Sequence, residues 1–185
     1  MNRLKILLFL LFASQVQTVE ATTDIYLSTL RQFYAEMPAL CLGVPPFPVP
    51  VKAVHSVWER GRLLALVDAG LAEIKQQRQV KYFSLTPTGQ ASQHHNLDLC
   101  YGRFDVHRII ETVATDNNNI TIVYFTYHLV QLREWAKHPA MRLAFTEMDN
   151  LVNGDKKMLY RATLLTGEKG QLKLLDLPQP DGLEY

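Results

Sequence analysis

The sequence predicts an α+β protein, and two observations predict it. Apolar residues recur at helical spacing near the start of the chain and again across residues 57–68 and 134–151. Elsewhere, runs rich in β-branched and aromatic residues are bounded by Gly, Asn and Asp clusters, the pattern of antiparallel hairpins. At 185 residues, the chain supports one domain, or two small ones sharing a core.

The first 21 residues read as a secretory signal peptide. Arg3 and Lys5 form a basic head, Ile6 to Ala13 an apolar core, and Val19-Glu20-Ala21 a cleavage site with small residues at the −3 and −1 positions. The apolar run is far shorter than the ~20 residues that span a bilayer. Removing Arg3, Lys5 and Glu20 from the 19 basic and 18 acidic residues leaves 17 of each. A neutral chain has no electrostatic footprint for nucleic acid or an anionic membrane. No transmembrane segment is expected after the signal. Periplasmic or secreted location follows, and the oligomeric state stays open.

The elements follow in order. Asp24 to Met37 reads as a helix with Ile25, Leu27, Leu30, Phe33 and Tyr34 on its apolar face, stopped by Pro38. Val44 to Val51 carries four prolines and reads as extended surface chain. Ser56-Val57-Trp58-Glu59 matches a capping box, opening a helix to about Asp68 with Leu63, Leu66 and Val67 inward and Gly70 as its stop. A polar turn at Lys75–Arg78 precedes the strand Val80 to Leu85, closed by Thr86-Pro87-Thr88-Gly89. Asp105–Thr115 and Ile120–Leu132 read as a hairpin about Asp116-Asn117-Asn118-Asn119. A helical zone spans Glu134 to Leu151 with a break at Pro139, and Asn153-Gly154-Asp155 is read as a turn. Met158–Thr166 and Gln171–Leu175 form a last hairpin, and 176–185 are read as a flexible tail. The domain expected is 22–175, with halves 22–95 and 96–175.

Two resemblances bear on this order. Leu63-Leu64-Ala65-Leu66-Val67-Asp68-Ala69-Gly70-Leu71 followed by Tyr82-Phe83-Ser84-Leu85-Thr86-Pro87-Thr88-Gly89 resembles the end of a winged-helix domain, so 22–95 is expected to be winged-helix-like. The usual activity of that family is DNA binding, which the signal peptide and the neutral charge argue against. Cys100-Tyr101-Gly102, Val123-Tyr124-Phe125-Thr126-Tyr127, Trp135-Ala136-Lys137-His138-Pro139 and Ala144-Phe145 resemble uncharacterised secreted proteins and lipoproteins of proteobacteria. That likeness implies an envelope location and no particular activity. The chain lacks a lipidation cysteine, and Gln171 stands after Gly170 where those proteins carry tryptophan.

Chemistry-bearing residues are few. Cys41 and Cys100, in an oxidising compartment, read as a disulfide closing a long loop, worth roughly 4 kcal/mol in the chain-entropy model. If the hairpin turns symmetrically about Asn117-Asn118, His107 and His128 face each other across it, with Glu111 on the same face. Two imidazoles make a weak metal candidate, and an incidental pair is the expectation. His94-His95 reads as loop. Glu111 and Glu134 are carboxylates with no recognisable partner. There is no Gly-x-Ser-x-Gly elbow, Ser-x-x-Lys pair, phosphate loop or His-Glu-x-x-His. Asn119-Ile120-Thr121 fits a glycosylation sequon, common by chance. No catalytic residue and no cofactor is assigned. The leading reading is a non-enzymatic binding or accessory protein of the cell envelope, with an unidentified envelope protein or ligand as partner. The alternatives are a small envelope hydrolase, or a virulence or assembly factor docking through an aromatic patch of Phe47, Trp58 and Trp135.

Overall fold

The computed structural model describes residues 23–94 and 97–182, and the fold is α+β. The signal peptide expected over 1–21 lies outside the described residues. The elements run α1 (23–36), β1 (Leu40–Cys41), β2 (Val49–Pro50), a 3-10 turn (Val51–Ala53), α2 (Val57–Asp68), β3 (Ala72–Gln77), β4 (Val80–Leu85) and α3 (Pro87–Ala91). Then come β5 (Cys100–Ala114), β6 (Ile120–Val130), a 3-10 turn (Glu134–Lys137), α4 (Pro139–Ala144), α5 (Thr146–Gly154), β7 (Leu159–Thr166), β8 (Leu172–Leu174) and β9 (Gln179–Pro180). One sheet has the order β1-β5-β6-β7-β8, with β9 also on β7; the other has the order β2-β4-β3.

Two compact units emerge, and they are not the halves 22–95 and 96–175 read from the sequence. Among the described residues, one comprises 23–37, 105–128 and 156–182; the other comprises 38–94, 97–104 and 129–155. The boundary falls inside β5 and inside β6.

The first unit is built on aromatic packing. Leu30 and Tyr34 of α1 are buried, with Tyr26, Leu27 and Phe33 half-buried on the same face. Ile25, expected inward, is 54 % exposed, because it sits off the stripe that Tyr26, Leu30 and Tyr34 draw at spacing four. The Tyr34 ring meets Phe125 edge-on at 6.2 Å; Phe125 lies 6.0 Å from Tyr160, and Tyr160 lies 5.3 Å from Tyr127. Such edge contacts add to the stabilisation from area alone. The sheet here pairs Ile120–Thr126 of β6 with Leu159–Leu165 of β7.

The tail departs from expectation. Instead of hanging loose, Gln179 and Pro180 pair with Arg161 and Tyr160 of β7, and Asp181 N–H donates to Leu159 O. The reason is an edge left open. β8 covers only Leu164–Thr166 of β7, so the remaining backbone groups near Tyr160 would go unpaired without the tail.

The second unit packs α2, α4 and α5 with the small sheet around Leu63, Leu66, Leu71, Phe83, Leu99 and Met141. α2 opens as expected: Ser56 Oγ accepts from Glu59 N–H at 3.3 Å, and the chain leaves the helix through Gly70 at φ +72°. Ala65 joins Leu63 and Leu66 as a buried position, and Val67 is half-buried. The β3–β4 turn is tighter than read: Lys75, Gln76 and Gln77 belong to β3, and Arg78-Gln79 alone turns the chain, Arg78 at φ +57°. The 134–151 zone is three short pieces, and α5 runs on through Gly154, so the turn follows at 155–157.

Candidate functional site

A helix, a strand and a loop-flanked corner converge on one side chain, Arg62. It projects from α2 one turn after Trp58, the spacing at which helix side chains meet. Its guanidinium carbon lies 4.4 Å from the centre of the Trp58 ring and 4.2 Å from that of Phe145, between α4 and α5. Nη2 donates to Leu42 O, just after β1. Nε is buried and has no hydrogen-bond partner. A guanidinium between two aromatic faces gains from the ring quadrupoles, more so where water is excluded.

The Leu42 corner is fixed twice. Cys41 and Cys100, directly paired across β1 and β5, form the expected disulfide, with Cα atoms 3.8 Å apart. The Asp98 carboxylate accepts backbone N–H groups of Gly43 at 2.8 Å, Val44 at 3.3 Å and Leu99 at 2.7 Å. Burial lowers the Arg62 guanidinium from its ordinary value, while Glu147 and Asp98 work in the opposite direction. Tyr101 is pushed up to about 12, first by burial and then by Glu147, so it is a neutral hydroxyl at physiological pH.

Two hollows flank Arg62. One of about 90 Å³ is bounded by the disulfide's Cys41, Tyr101, Phe145 and Glu147. The other, about 320 Å³, is bounded by Gly43, Pro45, Ser56 and Glu59. Trp58 and Arg62 line both, and Trp58 is 67 % exposed. The smaller hollow therefore sets a cation with a free buried donor beside a carboxylate and a neutral phenol. That arrangement can hold a small charged group. Arg62 and Tyr101 both stay protonated near neutrality, and Cys41 is consumed by the disulfide.

The residues singled out from sequence scatter. His107 and His128 do come together, their rings 6.4 Å apart and edge to face. Thr115 N–H donates to Ile120 O, which closes the hairpin in the symmetric register. Among the described residues, no group of three or more His, Cys, Asp or Glu could hold a metal ion. Glu111 is exposed, and Glu134 is exposed and ion-paired with Lys137 at 2.8 Å. His94 N–H donates to Asp98 O, and His95 lies outside the described residues. The three aromatics expected to form a surface patch do not share one fate. Phe47 and Trp135 are half-buried against the core, Trp135 donating to buried Ser92 Oγ at 3.1 Å, and Trp58 alone stays exposed.

Sequence reasoning missed Arg62, Glu147 and Tyr101 as a group. The Trp58–Arg62 spacing was visible, but nothing local points from α2 to Phe145 and Glu147. No family model, no curated protein and no solved structure matches the chain.

Proposed function

We propose that the chain is an exported, non-enzymatic binding or accessory protein of the cell envelope, and that it binds through the Arg62 slot. One observation carries the reading: a guanidinium held between Trp58 and Phe145 whose buried Nε has no partner. A buried unsatisfied donor costs about 1–3 kcal/mol, which an incoming acceptor would recover. The disulfide supports an oxidising compartment. Among the described residues no helix is long and apolar enough to cross a membrane. The size of the smaller hollow limits what enters it to a single small group, such as a carboxylate at the end of a larger ligand.

Trp58 reports on the slot. Titration with acetate, succinate and inorganic phosphate is expected to give saturable fluorescence change for the carboxylates. The change is expected to vanish in Arg62→Gln and to survive in Trp135→Phe, which removes the other tryptophan. Absence of saturation with every probe in the folded parent chain would overturn the assignment of this slot.

A further inference from the structure

β5 carries an open edge whose extent can be read from parity. Thr115 N–H donates to Ile120 O at the hairpin end, and Tyr101 O accepts from Arg133 N–H at the other. Odd-numbered residues of β5 thus turn their backbone groups toward β6 and its continuation, and even-numbered residues turn theirs away. Two contacts agree. β1 pairs with Cys100 and Gly102, and the Arg31 guanidinium donates to Val106 O at 3.3 and 3.2 Å. Val106 N–H is in turn taken by the Asp105 carboxylate at 2.7 Å. Beyond Val106, among the described residues, no strand lies outside β5. Arg108, Ile110, Thr112 and Ala114 therefore direct their N–H and C=O groups outward, with Ile110 46 % and Val113 38 % exposed.

We propose that this edge pairs antiparallel with the same edge of a second copy, about a twofold axis through Ile110. The charges favour self-pairing. His107 and Glu111 flank the axis on one face of β5, so antiparallel pairing about Ile110 brings the imidazole of each copy toward the carboxylate of the other. An axis through Glu111 would use all four outward residues, yet it would set Glu111 directly opposite its copy, a destabilising arrangement. Moving the axis to Ile110 removes that clash and leaves His107 diagonal to Glu111 of the second copy. Ile110 then covers Ile110, and Arg108 exchanges backbone bonds with Thr112 on both sides of the axis. The next pair would be Val106 with Ala114, where Arg31 and Asp105 already occupy the backbone groups. Pairing stops there, which sets its length. Isologous contact of this kind closes at two copies.

The test exploits parity. Proline at Ile110 removes an N–H that faces away from β6, so the β5–β6 ladder keeps its bonds. Sedimentation of the full chain is expected to show a concentration-dependent dimer. Ile110→Pro is expected to be monomeric with unchanged circular dichroism and thermal midpoint. Should that variant fail to fold, Ile110→Lys decides, because it places two cations on the axis and is expected to weaken the dimer at least tenfold, relieved by salt. A parent chain that stays monomeric at millimolar concentration would overturn the proposal. So would a dimer that survives Ile110→Lys undiminished.

Discussion

The two compact units solve the problem of a core differently. The first is held by a continuous line of rings, Tyr34, Phe125, Tyr160 and Tyr127, between one helix and a sheet. Its charged side chains serve the backbone: Arg31 caps Val106 O and pairs with Asp105 at 3.6 Å. The second is an aliphatic cluster of short helices, and its Arg62 is inserted between rings with Nε unpaired. Two arginines thus stand in opposite situations. Arg31 is half-exposed and spends its donors on the fold. Arg62 keeps one buried donor in reserve, beside two hollows. An arginine that gives its donors to the fold stiffens it, and one that leaves a buried donor open is where a ligand would gain most.

The sharpest way to break the first unit is Phe125→Ala. Phe125 is fully buried and touches two rings of the line. Its loss removes both the transfer free energy and the packing around the cavity left behind, about 4 kcal/mol. Urea unfolding is expected to shift by that amount, with tyrosine near-UV signal lost and the Trp58 emission of the folded chain unchanged. A shift below 1 kcal/mol in the same measurement, on the order of a surface substitution, would show that the ring line is not what holds this unit.

Removing the disulfide tests the other side. The Cys41→Ser, Cys100→Ser double variant is expected to lose about 3 kcal/mol, somewhat below the chain-entropy figure. Here the comparison sharpens, because Leu42, which accepts from Arg62, follows Cys41 directly. Trp58 emission is therefore expected to change even in the folded variant, while near-UV tyrosine signals from the ring line stay as they were. An unchanged Trp58 environment would mean that Asp98, through Gly43 and Val44, fixes the corner alone.

How much of this was legible in the sequence depended on the range of the interaction. α1, α2, both long strands and the Asn-rich turn were readable, because periodicity, caps and turn residues act over a few positions. The disulfide was readable because the chain holds two cysteines, which leave one pairing. The register of His107 and His128 followed from a symmetric turn. What failed was long-range. Ile25 misled because apolar character alone does not say which residues share a stripe. The tail was read as loose because its partner, the uncovered part of β7, lies about 20 residues upstream and has no local signature. The Arg62 slot needs α2 beside the α4–α5 corner, and no spacing along the chain encodes that meeting. The Cys100-Tyr101-Gly102 and Trp135-to-Pro139 segments carry structural tasks. Cys100 is bonded to Cys41, and Trp135 is anchored on Ser92.

The smallest of the three effects concerns Gly89, in the Thr86-Pro87-Thr88-Gly89 segment. It was read as the end of a strand and is the start of α3. Thr86 caps that helix: its Oγ1 accepts from Gly89 N–H at 3.1 Å and donates to Gly70 O at 2.7 Å. Thr86 N–H donates to Leu71 O at 3.0 Å, which draws α3 down onto the loop after α2. A Cβ on Gly89 would sit 2.0 Å from Leu71 O and 3.0 Å from a Leu85 methyl. The obstacle is backbone, so no side chain can swing aside. Gly89→Ala is expected to cost about 2 kcal/mol through that overlap, although alanine is the better helix former by ~1 kcal/mol. Gly61, inside α2 with open space around its Cβ position, gives the control. There the same substitution is expected to stabilise by up to ~1 kcal/mol. Opposite signs at two helical glycines of one unit, read by urea unfolding, would confirm that contact and not propensity decides at Gly89. Equal signs would place Leu71 O elsewhere.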